Sequence, residues 1–231
     1  MRPDQRLGVM MQKPVAICDP WPRSLDLMFS ASNLSRLHAL VDLVEGRDAF
    51  VLDIGANAGV YAVTLGAAAA PGSRVIAFEP NPIMIGRLGY NVRLNDLQDR
   101  IRIESCALGL QRGEATLSFV RNNYGEATLL PVASRQRRGG TLVPVRALGE
   151  FAHEAEGHDL SVIKIDVEGA EPQVLAPMLR APNGWLPDAI LIETEHAAVW
   201  EMDLVAMISD KGYEIALQAE GNTFFVRHGV A

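Results

Sequence analysis

The sequence predicts an α/β fold built on a mostly parallel sheet, and three observations lead there. Short apolar runs alternate with helical-period segments in the order β-α-β-α-β between Phe50 and Ile103. A glycine-rich turn joins the first of those strands to its helix. The alternation resumes at Val162 and ends in two strands, Tyr213 to Leu217 and Thr223 to Arg227, joined by Gly221-Asn222. Together they describe a Rossmann-like three-layer sandwich with right-handed crossovers, closed by a terminal hairpin.

Each element has a local reason. Residues 1–30 contain Pro14, Pro20 and Pro22 and are read as extended or irregular. From Ser32, the residues Leu34, Leu37, Val41 and Val44 recur at helical spacing and Gly46 offers a stop. One helix of three turns therefore completes an N-terminal extension over 1–46, and the main domain runs over 47–231. Phe50 to Ile54 is its first strand, and alanine-rich Val60 to Ala70 is a helix broken by Pro71-Gly72. Val75 to Phe78 is the second strand, Pro82 opens a helix reaching about Asn95, and Ile101 to Ile103 is the third strand. The stretch near 114–146 interrupts this rhythm. Thr116 to Val120 and Thr141 to Val145 have strand composition and are expected to pair as an antiparallel hairpin or flap. Strand Val162 to Ile165, helix Ala170 to Leu179, strand Ala189 to Ile192 and helix Val199 to Asp210 then lead to the terminal hairpin.

Composition limits the function. With 48% hydrophobic and 21% charged residues, the 231-residue chain can bury one full core. No apolar run reaches the ~18 residues that span a bilayer. The first twenty residues lack the apolar centre of a secretion signal, so a cytoplasmic location is expected. Two cysteines, Cys18 and Cys106, are too few for a disulfide scaffold or a zinc cluster. A net charge of −7 would repel a phosphate backbone, so nucleic acid is not an expected partner. Arg135, Arg137 and Arg138 form a local basic run, read as a solvated loop.

The sharpest motif is Asp53-Ile54-Gly55-Ala56-Asn57-Ala58-Gly59, between a strand and a helix. Its glycines permit a tight turn and let a ligand approach the backbone. Asn57 is among the few residue types that tolerate the left-handed region. At the end of the second strand stands Glu79, followed by Pro80-Asn81-Pro82. At the switch point of a doubly wound sheet, such a carboxylate can accept hydrogen bonds from both hydroxyls of a ribose. The spacing Gly55-x-x-x-Gly59 is not the G-x-G-x-x-G of a dinucleotide loop, and the absence of a following G-K-[ST] excludes a P-loop. Asp53 beside the loop would repel a pyrophosphate and suits a ligand carrying an ammonium. S-adenosylmethionine, with an ammonium, a sulfonium and no phosphate, fits that charge pattern.

A second cluster, Asp166, Glu168 and Glu171, follows the strand Ile163-Lys164-Ile165 at the edge where ligands collect in this fold. Alternation points Asp166 and Glu168 to the same side while the strand continues. Glu171 is read as a helix cap. Glu193-Thr194-Glu195-His196 brings a third polar group to that edge. His196 is a candidate general base because its intrinsic pKa lies near neutrality, and Asp166 is a second candidate. Glu193 could orient the imidazole or a substrate hydroxyl. Asp166, Glu193 and His196 could also gather a divalent ion, but their spacing is not diagnostic and no metal is assigned.

Asp53 to Gly59, Phe78-Glu79-Pro80-Asn81, Ala107-Leu108-Gly109 and Ile165-Asp166-Val167-Glu168-Gly169-Ala170-Glu171 resemble the motifs of the FkbM family of class I S-adenosylmethionine-dependent methyltransferases. The likeness spans about residues 51 to 214, and its last motif is the most specific. It implies a seven-stranded sheet whose last strand is antiparallel. It also implies that Asp53, Gly55, Asn57 and Gly59 line the methionine side of the donor, and that Glu79, with Pro80 next to it, holds the ribose. Ala107 would border the adenine, and Asp166 the methyl group or the amino-acid part. The implied activity is O-methylation of a hydroxyl on a small molecule or glycan, with S-adenosylhomocysteine as product. Relatives often carry Leu-Asp where this chain has Leu148-Gly149-Glu150, so either Glu150 substitutes for that acid or the substrate differs. The extension and the flap are expected to carry the acceptor contacts or contacts between copies of a homo-oligomer.

The expected reaction is an in-line displacement, to which the protein contributes alignment and a base. An N-methyltransferase is one rival, but enzymes acting on planar amines typically carry an Asn/Asp-Pro-Pro-aromatic turn where this chain reads Asp166-Val167-Glu168-Gly169. The glycine spacing disfavours an NAD-dependent oxidoreductase. A donor-binding module without turnover is the remaining alternative, weighed against intact Asp53, Glu79 and Asp166.

Overall fold

The computed structural model describes residues 6–7, 15–18, 31–120, 123–128, 137–182, 184–219 and 221–230, with backbone alone at 6–7, 31–34, 119–120, 123–128 and 137–139. Pro14, Pro20, Pro22, Arg135 and the side chains of Arg137 and Arg138 lie outside the described residues. Strands β1 (Arg6–Leu7) and β2 (Val15–Ala16) pair antiparallel. Helix α1 (Ala31–Val44) leads to β3 (Ala49–Ile54), α2 (Val60–Ala68), β4 (Arg74–Phe78), α3 (Pro82–Leu94) and β5 (Ile101–Glu104). Next come β6 (Ala107–Gly109), β7 (Gly113–Val120), β8 (Asn123–Thr128) and β9 (Arg137–Ala147). Two 3-10 turns, Leu148–Glu150 and Ala152–Ala155, return the chain to β10 (Leu160–Ile165) and α4 (Glu171–Arg180). Strand β11 (Ala189–Glu193), α5 (Leu204–Ser209), β12 (Tyr213–Ala219) and β13 (Asn222–Arg227) complete the order.

The main sheet runs β12-β13-β11-β10-β3-β4-β5. Strands β11, β10, β3, β4 and β5 are parallel, and β13 is antiparallel to both of its neighbours. This is the expected seven-stranded sheet with its last strand reversed. Its inner strands β3, β4, β10 and β11 are largely apolar on both sides because both faces are covered. Ala49, Val51, Val75, Ala77, Val162 and Leu191 face one core, shared with Leu37, Leu40 and Val41 of α1 and with α2 and α3. Phe50, Leu52, Ile76, Ile163, Ile190 and Phe225 face the other, shared with α4, α5 and Phe151. Helix α1 thus belongs to the central core. Among the described residues, no helix is long and apolar enough to cross a membrane.

Several boundaries differ from expectation. The helix predicted from Val199 begins only at Leu204: Trp200 is extended (φ −69°, ψ 139°), and the Asp203 carboxylate caps a fresh start by accepting from the Ala206 amide at 2.9 Å. The terminal turn sits one residue earlier than predicted, because Ala219 pairs with Asn222 and leaves Gly221 (φ 70°) in the turn. The flap strands do pair antiparallel, Thr116 opposite Leu142, but within a four-stranded sheet of order β6-β9-β7-β8. Ala107, expected after the third strand, occupies β6, parallel to β9.

Residues 15–18 are clipped to α3 by side-chain amides. Asn95 donates to the Ala16 carbonyl (2.7 Å) and accepts from its amide (2.9 Å), while Asn91 accepts from Cys18 (2.9 Å). An asparagine can satisfy a strand in this way because it carries both donor and acceptor. Replacing Asn95 by Ala strands both backbone groups. It is expected to cost about 1–3 kcal/mol in urea unfolding and to speed amide exchange at Ala16; unchanged exchange there would show that the clip does not hold the segment.

Candidate functional site

A cleft opens at the carboxyl ends of β3, β4 and β10. At its floor Gly55 and Ala56 both donate to the Phe78 carbonyl (3.0 and 2.9 Å), turning the chain sharply out of β3. Gly55 has φ 76°, and a Cβ there would lie 1.9 Å from the Asp166 carbonyl oxygen. Only glycine fits, because two backbones meet. Asn57 takes the left-handed conformation (φ 51°), as its residue type allows, and its carbonyl side chain accepts from the Ala58 amide (2.8 Å). Gly55 and Asn57 line the cleft. Gly59 does not: at φ 92° it starts α2, where a Cβ would meet Leu88 at 2.4 Å. Its place is in the packing between α2 and α3.

Glu79 ends β4 with its carboxylate held at both oxygens, by the Asn57 amide (2.8 Å) and the Asn81 amide (2.7 Å). It is 6% exposed and lines the cleft beside Pro80. Burial pushes its pKa up to about 7, against the pull of the two amides and Lys164. Ala107 also lines the cleft, between Cys106 and Leu108. Both described cysteines, Cys18 and Cys106, are free thiols, and burial raises Cys106 to about 11.

Asp53 stands elsewhere than expected. Its side chain is wholly buried below the cleft, accepting from the Ala62 amide (2.9 Å) with Lys164 Nζ at 3.4 Å. It shares the sheet face of Ala49 and Val51, so it points to the start of α2 and not into the cleft. Burial raises the Asp53 pKa, opposed chiefly by Lys164. Lys164, missed from the sequence, donates to the Gly55 carbonyl (2.9 Å), lies 3.8 Å from Asp166, and sits 5.3 Å over the Tyr61 ring. Burial opposes its charge, but Asp53, Asp166 and Tyr61 together hold its pKa above the ordinary value. Its signal was a lysine inside the buried apolar run Val162-Ile163-Lys164-Ile165.

The second cluster is shaped by a reversal. Strand β10 ends at Ile165, and Glu168 (φ 57°) and Gly169 (φ 97°) both turn left-handed, so alternation does not carry past Asp166. Asp166 and Glu168 nevertheless both line the cleft. Glu171 is fully buried and accepts from the Val167 (3.0 Å) and Gly169 (3.3 Å) amides, the capping role expected of it. His196 Nε2 lies 3.7 Å from Glu168 Oε2 and 3.9 Å from Glu193 Oε2. Among the described residues the group with metal-ligand spacing is therefore Glu168, Glu193 and His196, with Glu168 in the place that Asp166 holds in the undiagnostic sequence grouping. Burial, then Asp166, Glu168 and Glu171, pushes Glu193 up to about 9. Glu150 does not reach the cleft. The Ala147 amide (2.9 Å), Arg112 and Arg146 (3.1 Å) hold its carboxylate at a pKa of about 2.

Residues 53–215 match the family described as the methyltransferase FkbM domain. Methyltransferase sdnD of Sordaria araneosa is 27% identical over 194 residues, covering 72% of this chain and 74% of that protein. Methyltransferase 1 of Beauveria bassiana is 25% identical over 189 residues, covering 74% of each. The solved structure of methyltransferase FkbM from Methylobacillus flagellatus is alike in fold: TM-score 0.51 at 20% identity, over 80% of this chain and 44% of that one.

The raised Glu79 pKa has a measurable sign. The folded protein holds this proton up to about 7, the unfolded chain only to about 4.5, so the group's stabilising contribution is present below the lower value and is lost as pH rises through that window. Thermal unfolding between about pH 5 and about pH 8 is expected to show a downward component that Glu79→Gln removes; identical pH slopes for the two proteins would place the titration on another group.

Proposed function

The chain belongs to the FkbM family of methyltransferases, and we propose that it transfers the methyl group of S-adenosylmethionine to a hydroxyl on a small molecule or glycan. The observation that carries the donor assignment is the charge of the cleft. Glu79, Asp166 and Glu168 line it together with one buried cation, Lys164. Such a lining repels a pyrophosphate and favours a ligand bearing a sulfonium and an ammonium. The charge pattern first attributed to Asp53 is thus supplied by other acids.

The residues present fit the donor. Gly55 leaves backbone room that a Cβ would fill, and Glu79 keeps lone pairs free beyond those taken by two amides, suited to ribose hydroxyls. Ala107 and Leu108 offer an apolar wall for the adenine. Asp166 and Glu168 would face the positive end of the donor. When bound, S-adenosylmethionine supplies an electrophilic methyl group that an acceptor oxygen takes by in-line displacement, leaving S-adenosylhomocysteine. The chain's own part is alignment within a fixed cradle, plus removal of the hydroxyl proton. Asp166 lines the cleft and is the first candidate to take that proton. His196 stands beyond Glu168 and is the second, with Glu193 to orient it. O-methylation agrees with the Asp166-Val167-Glu168-Gly169 turn, which lacks the paired prolines and aromatic ring used on planar amines.

Calorimetric titration is expected to show binding of S-adenosylhomocysteine and none of NAD, with Glu79→Ala weakening the first at least about tenfold. Binding of NAD alone would sink the donor assignment. With donor and a hydroxylated acceptor saturating, Asp166→Asn is expected to lower kcat by about 10²–10⁴-fold. Full turnover by both Asp166→Asn and His196→Ala would show that neither removes the proton.

A further inference from the structure

We propose that Glu168, Glu193 and His196 form a binding site for a divalent first-row transition-metal ion adjoining the donor cleft. Their ligand atoms, two carboxylate oxygens and His196 Nε2, all lie within 4.8 Å of one another. Donors held roughly 2.0–2.2 Å from one small dication stand about 3.0–3.5 Å apart. The His196–Glu168 and His196–Glu193 separations of 3.7 and 3.9 Å therefore need to contract by under about 1 Å. His196 and Glu168, with side chains 38% and 31% exposed, can turn toward the buried Glu193 carboxylate.

A second observation points the same way. Glu193 Oε2, the oxygen nearest His196, has no exposed surface and no hydrogen-bond partner among the described residues. A buried carboxylate oxygen left without a donor is costly, and an ion bound here would supply its partner. Backbone geometry fixes two of the ligands, since Glu193 ends β11 and His196 begins the short turn Ala197–Val199. The mixed oxygen and nitrogen set suits Mn²⁺ or Zn²⁺ better than Mg²⁺ or Ca²⁺, which prefer all-oxygen ligands. Three protein ligands leave coordination positions open. The ion's use rests on the function proposed above: an acceptor hydroxyl bound at an open position would lose its proton more readily, to Asp166 or to water. His196 would then be a ligand, and the base would be Asp166 or solvent.

The test needs no acceptor. Tag-free protein stripped with a chelator is titrated with Mn²⁺ alone, followed by the resonance of the free ion, and with Zn²⁺ alone, followed by calorimetry. Uptake of one ion per chain is expected, weakened at least about tenfold by His196→Ala and by Glu193→Gln. Circular dichroism reports folding, and Glu168→Gln, on a more exposed side chain, serves where Glu193→Gln does not fold. No uptake of either ion by the wild type overturns the site, as does uptake that none of the folded variants alters. S-adenosylhomocysteine titrated into the same samples separates the two ideas: donor binding without ion uptake refutes the metal site alone, and ion uptake without donor binding refutes the donor assignment alone.

Discussion

One ammonium group ties the cleft to the sheet beneath it. Lys164 is 5% exposed near the carboxyl end of β10, directly opposite Asp53 of β3 in the parallel register. Its Nζ touches the Asp53 carboxylate, the Gly55 carbonyl and the neighbourhood of Asp166 at once. Removing one member of such a buried pair leaves the other uncompensated, at a cost of about 3–5 kcal/mol. The pair therefore constrains more than its own two strands. A slip of β10 against β3 by one residue would turn Lys164 to the opposite face and bury both charges apart. Register, the start of α2 and the exit of the glycine loop are fixed by the same contact.

Above that contact the loops position one another. The backbones of Gly55 and Asp166 meet so closely that no side chain could stand between them, and the Asp166 amide donates to the Ile54 carbonyl (3.1 Å). Glu79 is held by an amide of the glycine loop on one oxygen and by its own following turn on the other. Asn91 of α3 donates to the Ala58 carbonyl (2.8 Å) from beneath. Three strand ends thus carry loops held to one another by their own hydrogen bonds, and preorganisation of this kind is what alignment in a displacement reaction requires.

The sheet was legible because its strands are short apolar runs with period-two packing on two covered faces, as in Phe50 to Ile54 and Val75 to Phe78. Glu79 was legible as a cleft residue for a related reason: a glutamate at the end of a buried strand has few structural uses. The direction of Asp53 was not legible from its proximity to a glycine loop; counting by twos from Val51 sends it to α2. Lys164 was overlooked although a lysine in a fully buried strand demands a partner. Other features had no local signal. The left-handed turn at Glu168 decides which acid joins His196, and the clip of Asn91 and Asn95 on residues 15–18 spans more than seventy positions of sequence. Trp200 broke a helix whose periodicity was adequate but whose strongest start signal, Asp203, came four residues later than expected.

The acids of the site divide by what answers their charge. Asp53 has Lys164 and a helix amide, Glu79 has two amides, and Glu171 has two amides. These three are the floor and the hinges of the cleft, and internal partners already hold them. Asp166, Glu168 and Glu193 stand further out, where Lys164 is shared and His196 is the nearest imidazole. Repulsion among them is relieved by the proton that Glu193 holds up to about 9, or by a cation in the space they border. A sulfonium beside Asp166 and a dication between Glu168, Glu193 and His196 would each relieve a different part of that repulsion, so the two need not compete. On the function proposed above, a hydroxyl entering between them would meet an electrophile on one side and an acidifying ion on the other.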